Sequence, residues 1–185
     1  MAVTPSRMIL LGTKAPIFSL RDVVSGKVLI LSQMKGEKAT VVMFICNHCP
    51  FVTHIIKELI NVANQYTSKG ISFLAINSND MEQYPEDSPQ NMIKFAEELK
   101  LPFPYFYDGP QDVARAYDAA CTPDFFVFDE TLSCVYRGQF DDSRPSNKIP
   151  VTGKDLKAAL DSILSGKPVS KDQKPSIGCN IKWKS

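Results

Sequence analysis

The sequence predicts an α/β sandwich around a mixed central sheet. Three observations carry this. Strand-like and helix-like patterns alternate between residues 40 and 120. The run Thr40-Val41-Val42-Met43-Phe44-Ile45 is β-branched and uncharged, as a parallel strand buried on both faces should be. Two short strands and one amphipathic helix then close the chain, so the sheet cannot be purely parallel.

Taken in order, residues 1–14 read as an extension. Ala15 to Leu20 alternates Ile17, Phe18 and Leu20 with smaller residues, Ser25-Gly26 signals a turn, and Val28-Leu29-Ile30-Leu31 reads as a short strand. After the turn Gly36-Glu37-Lys38 comes the central strand Thr40 to Ile45. A helix-like pattern follows Cys49. It puts Val52, Ile55, Ile56, Leu59, Ile60 and Ala63 on one face and His54, Lys57, Glu58 and Asn61 on the other, so His54 is expected to face solvent. Ile71 to Ile76 is the next strand, running into the polar Asn77-Ser78-Asn79-Asp80. Ser88 and Pro89 then fit the N-cap and first position of a helix whose apolar face is Met92, Ile93, Phe95, Ala96 and Leu99. Phe103 to Tyr107 reads as a short aromatic strand, Gln111 to Ala120 as a helix, and Asp124 to Asp129 and Cys134 to Gly138 as strands joined by Glu130-Thr131-Leu132. Thr152 and Asp155 form a box-like cap for a last helix ending near Leu164. The expected organisation is one domain over residues 1–165 and a tail, 166–185, packed on it through Ile177, Ile181 and Trp183.

The stretch with chemistry in it is Cys46-Asn47-His48-Cys49-Pro50, where the apolar strand ends and a helix begins. Unpaired N–H groups and the positive end of a helix dipole favour an anion at such a turn. The thiolate is the form of cysteine that attacks disulfides. Two residues of spacing let one cysteine reach the other within one turn. Cys46, just outside or at the first helical position, is thus read as the attacking thiol and Cys49, inside the helix, as the resolving one. Cys-x-x-Cys also opens zinc sites, which need two further ligands. Cys121, Cys134 and Cys179 are scattered singly and the histidines are only His48 and His54, so neither a metal nor a cofactor is expected.

Composition excludes other classes. The chain has 185 residues, 44% apolar, and a net charge of +1 from 21 basic and 20 acidic side chains. Such a balance offers no electrostatic footprint for nucleic acid or an anionic membrane. The apolar patch Met8 to Leu11 is too short for a secretory signal, and five cysteines make no even disulfide framework, so a cytoplasmic location is expected. The oligomeric state is not set by the sequence.

Three segments carry a resemblance: Gly12-x-x-Ala15-Pro16-x-Phe18-x-Leu20, Cys46-Asn47-His48-Cys49-Pro50, and Thr122-Pro123 opening the strand from Asp124. Over about residues 10–165 the chain resembles the thioredoxin-like superfamily. The branch is that of the redoxins, near the alkyl hydroperoxide reductase and thiol-specific antioxidant proteins. The tail from Ser176 to Trp183 resembles that of a peroxiredoxin-like subgroup. The resemblance implies a thioredoxin-like three-layer sandwich. It also implies a cis Pro123, with Thr122, facing the cysteine pair, and a His48 that stabilises the Cys46 thiolate. The implied activity is thiol-disulfide exchange with a protein or small-molecule disulfide or dithiol. Cys121, two residues before Pro123, is either a third redox thiol or a small buried hydrophobe. Thr40 stands where thioredoxins carry a buried acid. The alternatives are a peroxiredoxin-like antioxidant activity, with Cys46 oxidised to a sulfenic acid, and a redox-regulated interaction module without enzymatic activity. A peroxiredoxin site resembles Pro-x-x-x-Thr-x-x-Cys, where this chain has Ala39 and Met43, and Cys121 rather than arginine precedes Thr122.

Overall fold

A computed structural model describes residues 3–184; residues 1, 2 and 185 of the ranges expected above lie outside it. In chain order the elements are β1 (Val3–Pro5), β2 (Ser19–Arg21), β3 (Val28–Ile30), α1 (Leu31–Met34), β4 (Ala39–Phe44), α2 (Pro50–Thr67) and β5 (Ile71–Asn77). After a single 3-10 turn at Pro85–Asp87 come α3 (Pro89–Leu99), β6 (Tyr105–Tyr107), α4 (Asp112–Ala116), β7 (Cys121–Thr122), β8 (Asp124–Asp129), β9 (Cys134–Gly138), α5 (Lys154–Leu164) and β10 (Ile177–Asn180).

The central sheet has the order β6-β5-β4-β8-β9. It is mixed: β4 runs parallel to β5 and antiparallel to β8. Every residue of β4 is buried, which is why its sequence is continuously apolar instead of alternating. Val41, Met43 and Ile45 pack with the inner faces of α2, α3 and α5, whereas Val42 and Phe44 pack on the opposite side with Phe18, Leu31 and Tyr117. Sheet and two flanking layers make the three-layer sandwich expected from the sequence.

A second sheet, β1-β10-β7, ties both ends of the chain to the core. Val3 lies opposite Cys179, and Cys179 lies opposite Thr122. Part of the segment read as an extension is therefore a paired strand. A strand of three residues with exposed Val3 carries too little periodicity to be read in isolation.

Other differences have local causes. The α1 turn begins at Leu31, which the sequence reading placed in a strand; Leu31 is fully buried, and its N–H donates to the Phe18 carbonyl. Helix α4 stops at Ala116 because Tyr117 is drawn inward, edge-on to Phe44, Phe126 and Phe128, and Asp118 turns left-handed at φ +50°. Helix α5 is not capped by a Thr152–Asp155 box. Gly153 is its N-cap, and the buried Asp141 carboxylate accepts the N–H groups of Thr152 and Gly153 at 2.6 and 2.7 Å. Asp155 instead accepts from Gln139 at 2.6 Å. His54 is half-buried, its Nε2 unpartnered, beside Pro123, Gln139 and Arg144. The loop after β9 covers a helix face that the periodicity had assigned to solvent.

Asp124 opens β8 fully buried. Burial pushes its carboxyl up to about 7, and neither of its oxygens finds a hydrogen-bond partner among the described residues to offset that cost. A folded-state value above the unfolded one of about 3.9 means the folded chain holds the extra proton between these limits. Stability from this group is therefore full below about pH 4, declines as pH rises towards 7, and is flat beyond. Asp124→Asn should match the parent near pH 4 and unfold several degrees higher at pH 8, as read by thermal denaturation at the two values.

Candidate redox site

Pro50 decides where the helix starts. Its ring presets the φ of a first helical residue, and it pushes the preceding residue into extended backbone. Cys49 accordingly has φ −75° and ψ 122° and is the N-cap of α2. This corrects the expectation that Cys46 sits at the helix start and Cys49 inside it. Cys46 lies on the extended segment leaving β4, and Cys49 is the residue whose carbonyl accepts the first helical N–H groups, those of Val52 and Thr53.

The two sulfurs share one environment. Cys46 Sγ lies 3.3 Å from Thr122 Oγ1, and Cys49 Sγ lies 3.2 Å from the Thr122 carbonyl oxygen. The Thr122–Pro123 peptide is cis, and β7 carries it against both cysteines. Both thiols are covered, Cys46 being 1% and Cys49 0% exposed, so Cys46 is less open than the sequence suggested. The nearness of the Cys46 thiol is the largest influence pulling the Cys49 thiol down to about 5; burial opposes it, and Cys179 and the Val52 N–H reinforce it. Cys46 is correspondingly held well above 9 by its neighbour Cys49, by burial and by the charge of Asp87, with the Thr122 hydroxyl pulling the other way. Of the two thiols, Cys49, which caps the helix, is the more readily ionised.

Asp87 is the anchor of the turn between the cysteines. It is fully buried, and its Oδ1 accepts the Asn47 N–H at 2.8 Å and the Asn77 amide at 3.1 Å. Its Oδ2 accepts the Asn79 amide at 2.8 Å and lies 2.7 Å from His48 Nδ1. That last approach is an ion-pair contact lying off the ring N–H direction. Burial works against the Asp87 charge, but His48, Asn79 and the Asn47 N–H outweigh it and hold the carboxyl below its ordinary value. Reciprocally, Asp87 raises His48 against the opposing effect of burial. The imidazole stacks on Tyr84 at 5.6 Å between centroids, and Tyr105 donates to the Asn47 side chain at 3.0 Å. Among the described residues, Cys46, His48 and Asp87 are the group that brings three ligand-type atoms within 4.8 Å of one another. Here the last two are already in contact with each other.

Asp87→Asn removes the negative partner of His48. The histidine midpoint, followed by NMR, should fall from its raised position towards or below 6.5. A histidine raised in the folded state contributes stability fully below its unfolded midpoint and loses it as pH rises through the folded one. The destabilisation of Asp87→Asn should therefore be larger at pH 6 than at pH 9.

Of the residues singled out from the sequence, Cys46, His48, Cys49, Thr122 and Pro123 converge on this site. Cys121 does not touch the pair. Its sulfur faces the Pro123 carbonyl at 3.7 Å, and burial drives its thiol far up. Sequence reading missed Asp87 and Cys179. For Asp87 the signal was the polar run Asn77 to Asp80 at the carboxyl end of a parallel strand, where ligand-facing groups collect in open α/β sheets. For Cys179 it was the fifth, odd cysteine in a segment of strand-like alternation.

A mixed sheet that delivers two cysteines to a helix N-terminus opposite a cis-proline defines a thioredoxin-like thiol redox protein. The AhpC/TSA family model matches residues 11–136, and the chain belongs to that family. Among solved structures it is similar to an uncharacterized conserved protein from Geobacillus kaustophilus, with 63% identity and a TM-score of 0.98, covering 100% of this chain and 97% of that one. A hypothetical protein from Sinorhizobium meliloti 1021 is 47% identical, with a TM-score of 0.96 and coverage of 98% and 99%. A peroxidoxin BcpB from Mycobacterium tuberculosis shares the fold at 18% identity, with a TM-score of 0.62 and coverage of 84% and 96%. No curated protein matches the chain. Among the described residues no helix is long and apolar enough to cross a membrane.

Proposed function

We propose that this chain is a thiol-disulfide oxidoreductase whose redox couple is Cys46–Cys49, with Cys46 attacking and Cys49 resolving. The observation that supports it most is the pair of sulfurs set together against Thr122 and cis Pro123. Cys49 is walled by α2, by Thr122 and by β10, whereas Cys46 adjoins the half-exposed turn Asn47–His48. Attack by Cys46 begins when its proton passes to Cys49. The Cys46 thiolate, held by the Thr122 hydroxyl, then displaces one sulfur of a substrate disulfide. The proton on Cys49 leaves with that sulfur, and the Cys49 thiolate attacks Cys46 Sγ. The second substrate sulfur departs, so the substrate gains two electrons and the protein closes a Cys46–Cys49 disulfide. The same steps in reverse oxidise a dithiol.

A peroxidase reading follows from the family. It would need Cys46 to attack a peroxide oxygen, and Met43 in β4 offers no hydroxyl for that oxygen. Insulin reduction with dithiothreitol, run beside hydrogen peroxide consumption, tests the proposal. Insulin turnover with little peroxide turnover is expected. Peroxide turnover alone would replace the proposal with the antioxidant reading, and neither activity would leave the interaction module.

A further inference from the structure

A sulfur of the tail lies directly against Cys49. Cys179 Sγ lies 2.8 Å from Cys49 Sγ, across 130 residues of sequence. Two features fix it there. The β10 register sets Cys179 opposite Thr122. Gly178 lets β10 press onto the Thr122–Pro123 peptide, since a Cβ at Gly178 would stand 2.0 Å from the Thr122 carbonyl oxygen. Closing from this contact to a covalent S–S length of about 2.05 Å requires less than an ångström of movement.

We infer that Cys179 is a third redox thiol, which takes over Cys49 from the Cys46–Cys49 disulfide and stores the oxidation as a Cys49–Cys179 disulfide. The inference rests on the reading of Cys46–Cys49 as the primary couple. The step is an exchange within the chain: the Cys179 thiolate attacks Cys49 Sγ, the Cys49–Cys179 bond forms, the Cys46–Cys49 bond breaks, and Cys46 leaves as a thiolate that takes the proton Cys179 gave up. One disulfide is present before and after, so no further oxidant or reductant enters. Its effect is to return Cys46 to the free thiol before any external reductant has acted.

The protonation behaviour of Cys179 agrees with this order. In the reduced protein its thiol is pushed up to about 12 by burial, by the hydrogen bond to Cys49 and by the Cys49 charge, against the pull of Lys182. Once Cys49 is engaged in a covalent bond its charge is gone, and the two effects that come from Cys49 no longer hold the Cys179 proton, although burial still does. The Cys179 thiol is therefore more readily ionised when Cys49 is bonded than when it is free. Cys121, whose sulfur faces the Pro123 carbonyl, takes no part.

The test is disulfide mapping by mass spectrometry of the full chain after limited oxidation with diamide, under acid quench and without reduction. The wild type should yield both Cys46–Cys49 and Cys49–Cys179 linked peptides. Cys46→Ser should yield Cys49–Cys179 as its main link, and Cys179→Ser or Cys179→Ala should lose that link and keep Cys46–Cys49. Cys121→Ser should leave the pattern unchanged. Absence of the Cys49–Cys179 link in both wild type and Cys46→Ser, with Cys46–Cys49 formed in the Cys179 variants, would overturn the inference and spare the primary couple. Absence of Cys46–Cys49 from both Cys179 variants would overturn the primary couple and the relay with it. The use of two Cys179 variants guards against one of them failing to fold.

Discussion

Cys46→Ser should bring disulfide exchange down to the uncatalysed rate and form no covalent adduct with a disulfide substrate. Cys49→Ser should instead accumulate a mixed disulfide through Cys46. The asymmetry follows from position. Cys46 adjoins the half-exposed turn, and its loss removes the sulfur that would meet substrate. Loss of Cys49 leaves attack intact and removes the neighbour that would release the product. Cys179 should not rescue release, because its contact is with Cys49. Attack in Cys49→Ser should also be slower and should need a higher pH, since the variant lacks the sulfur that accepts the Cys46 proton. Non-reducing gels and intact mass after incubation with a disulfide substrate check this. Equal trapping by both variants would refute the assigned roles, and full activity in Cys46→Ser would refute the oxidoreductase proposal.

Gly178→Ala should unseat the tail strand. The added methyl would lie 2.0 Å from the Thr122 carbonyl oxygen, 2.6 Å from its carbonyl carbon and 3.1 Å from the Pro123 nitrogen. All three are backbone atoms, so no side chain can swing aside, and β10 or β7 must move. Overpacking of this kind costs about 1–3 kcal/mol or more. For a chain of this size that is a fall of roughly 2–12 °C in Tm. The diagnostic result is local: amide exchange in residues 177–182 should lose protection while the central sheet keeps it. Unchanged protection there would show that β10 is not held in the register described.

The sequence made the central layers legible because their signals are local. The β4 run and the inner face of α2 each declare their burial by pattern alone, and Pro89 and Pro50 mark helix starts through chemistry that acts on the neighbouring residue. What escaped depends on partners distant in sequence. Asp87 looks like part of a helix start, and only the fold brings it to Asn47, Asn77 and His48, 40, 10 and 39 positions away. Asp141 likewise displaced the local cap expected of Thr152. The cysteine pair itself was found, yet its place against the helix start was off by one helical turn. The error came from reading Cys46 as the helix start when the residue before Pro50 was the one to take the cap.

The closure of β1 and β10 over the site has a consequence for synthesis. Cys49 is made 130 residues before its tail partner. At about 5–20 residues per second the nascent chain carries Cys46 and Cys49 without β10 for roughly 7–26 s. During that interval the Cys49 thiol lacks both the Cys179 contact and the strand that covers it, so oxidants or stray thiols meet it with fewer barriers than in the finished molecule. The site is complete only when β10 has followed Cys49 by about 130 residues, and a chain interrupted before that strand would carry Cys46 and Cys49 without the neighbouring Cys179 sulfur.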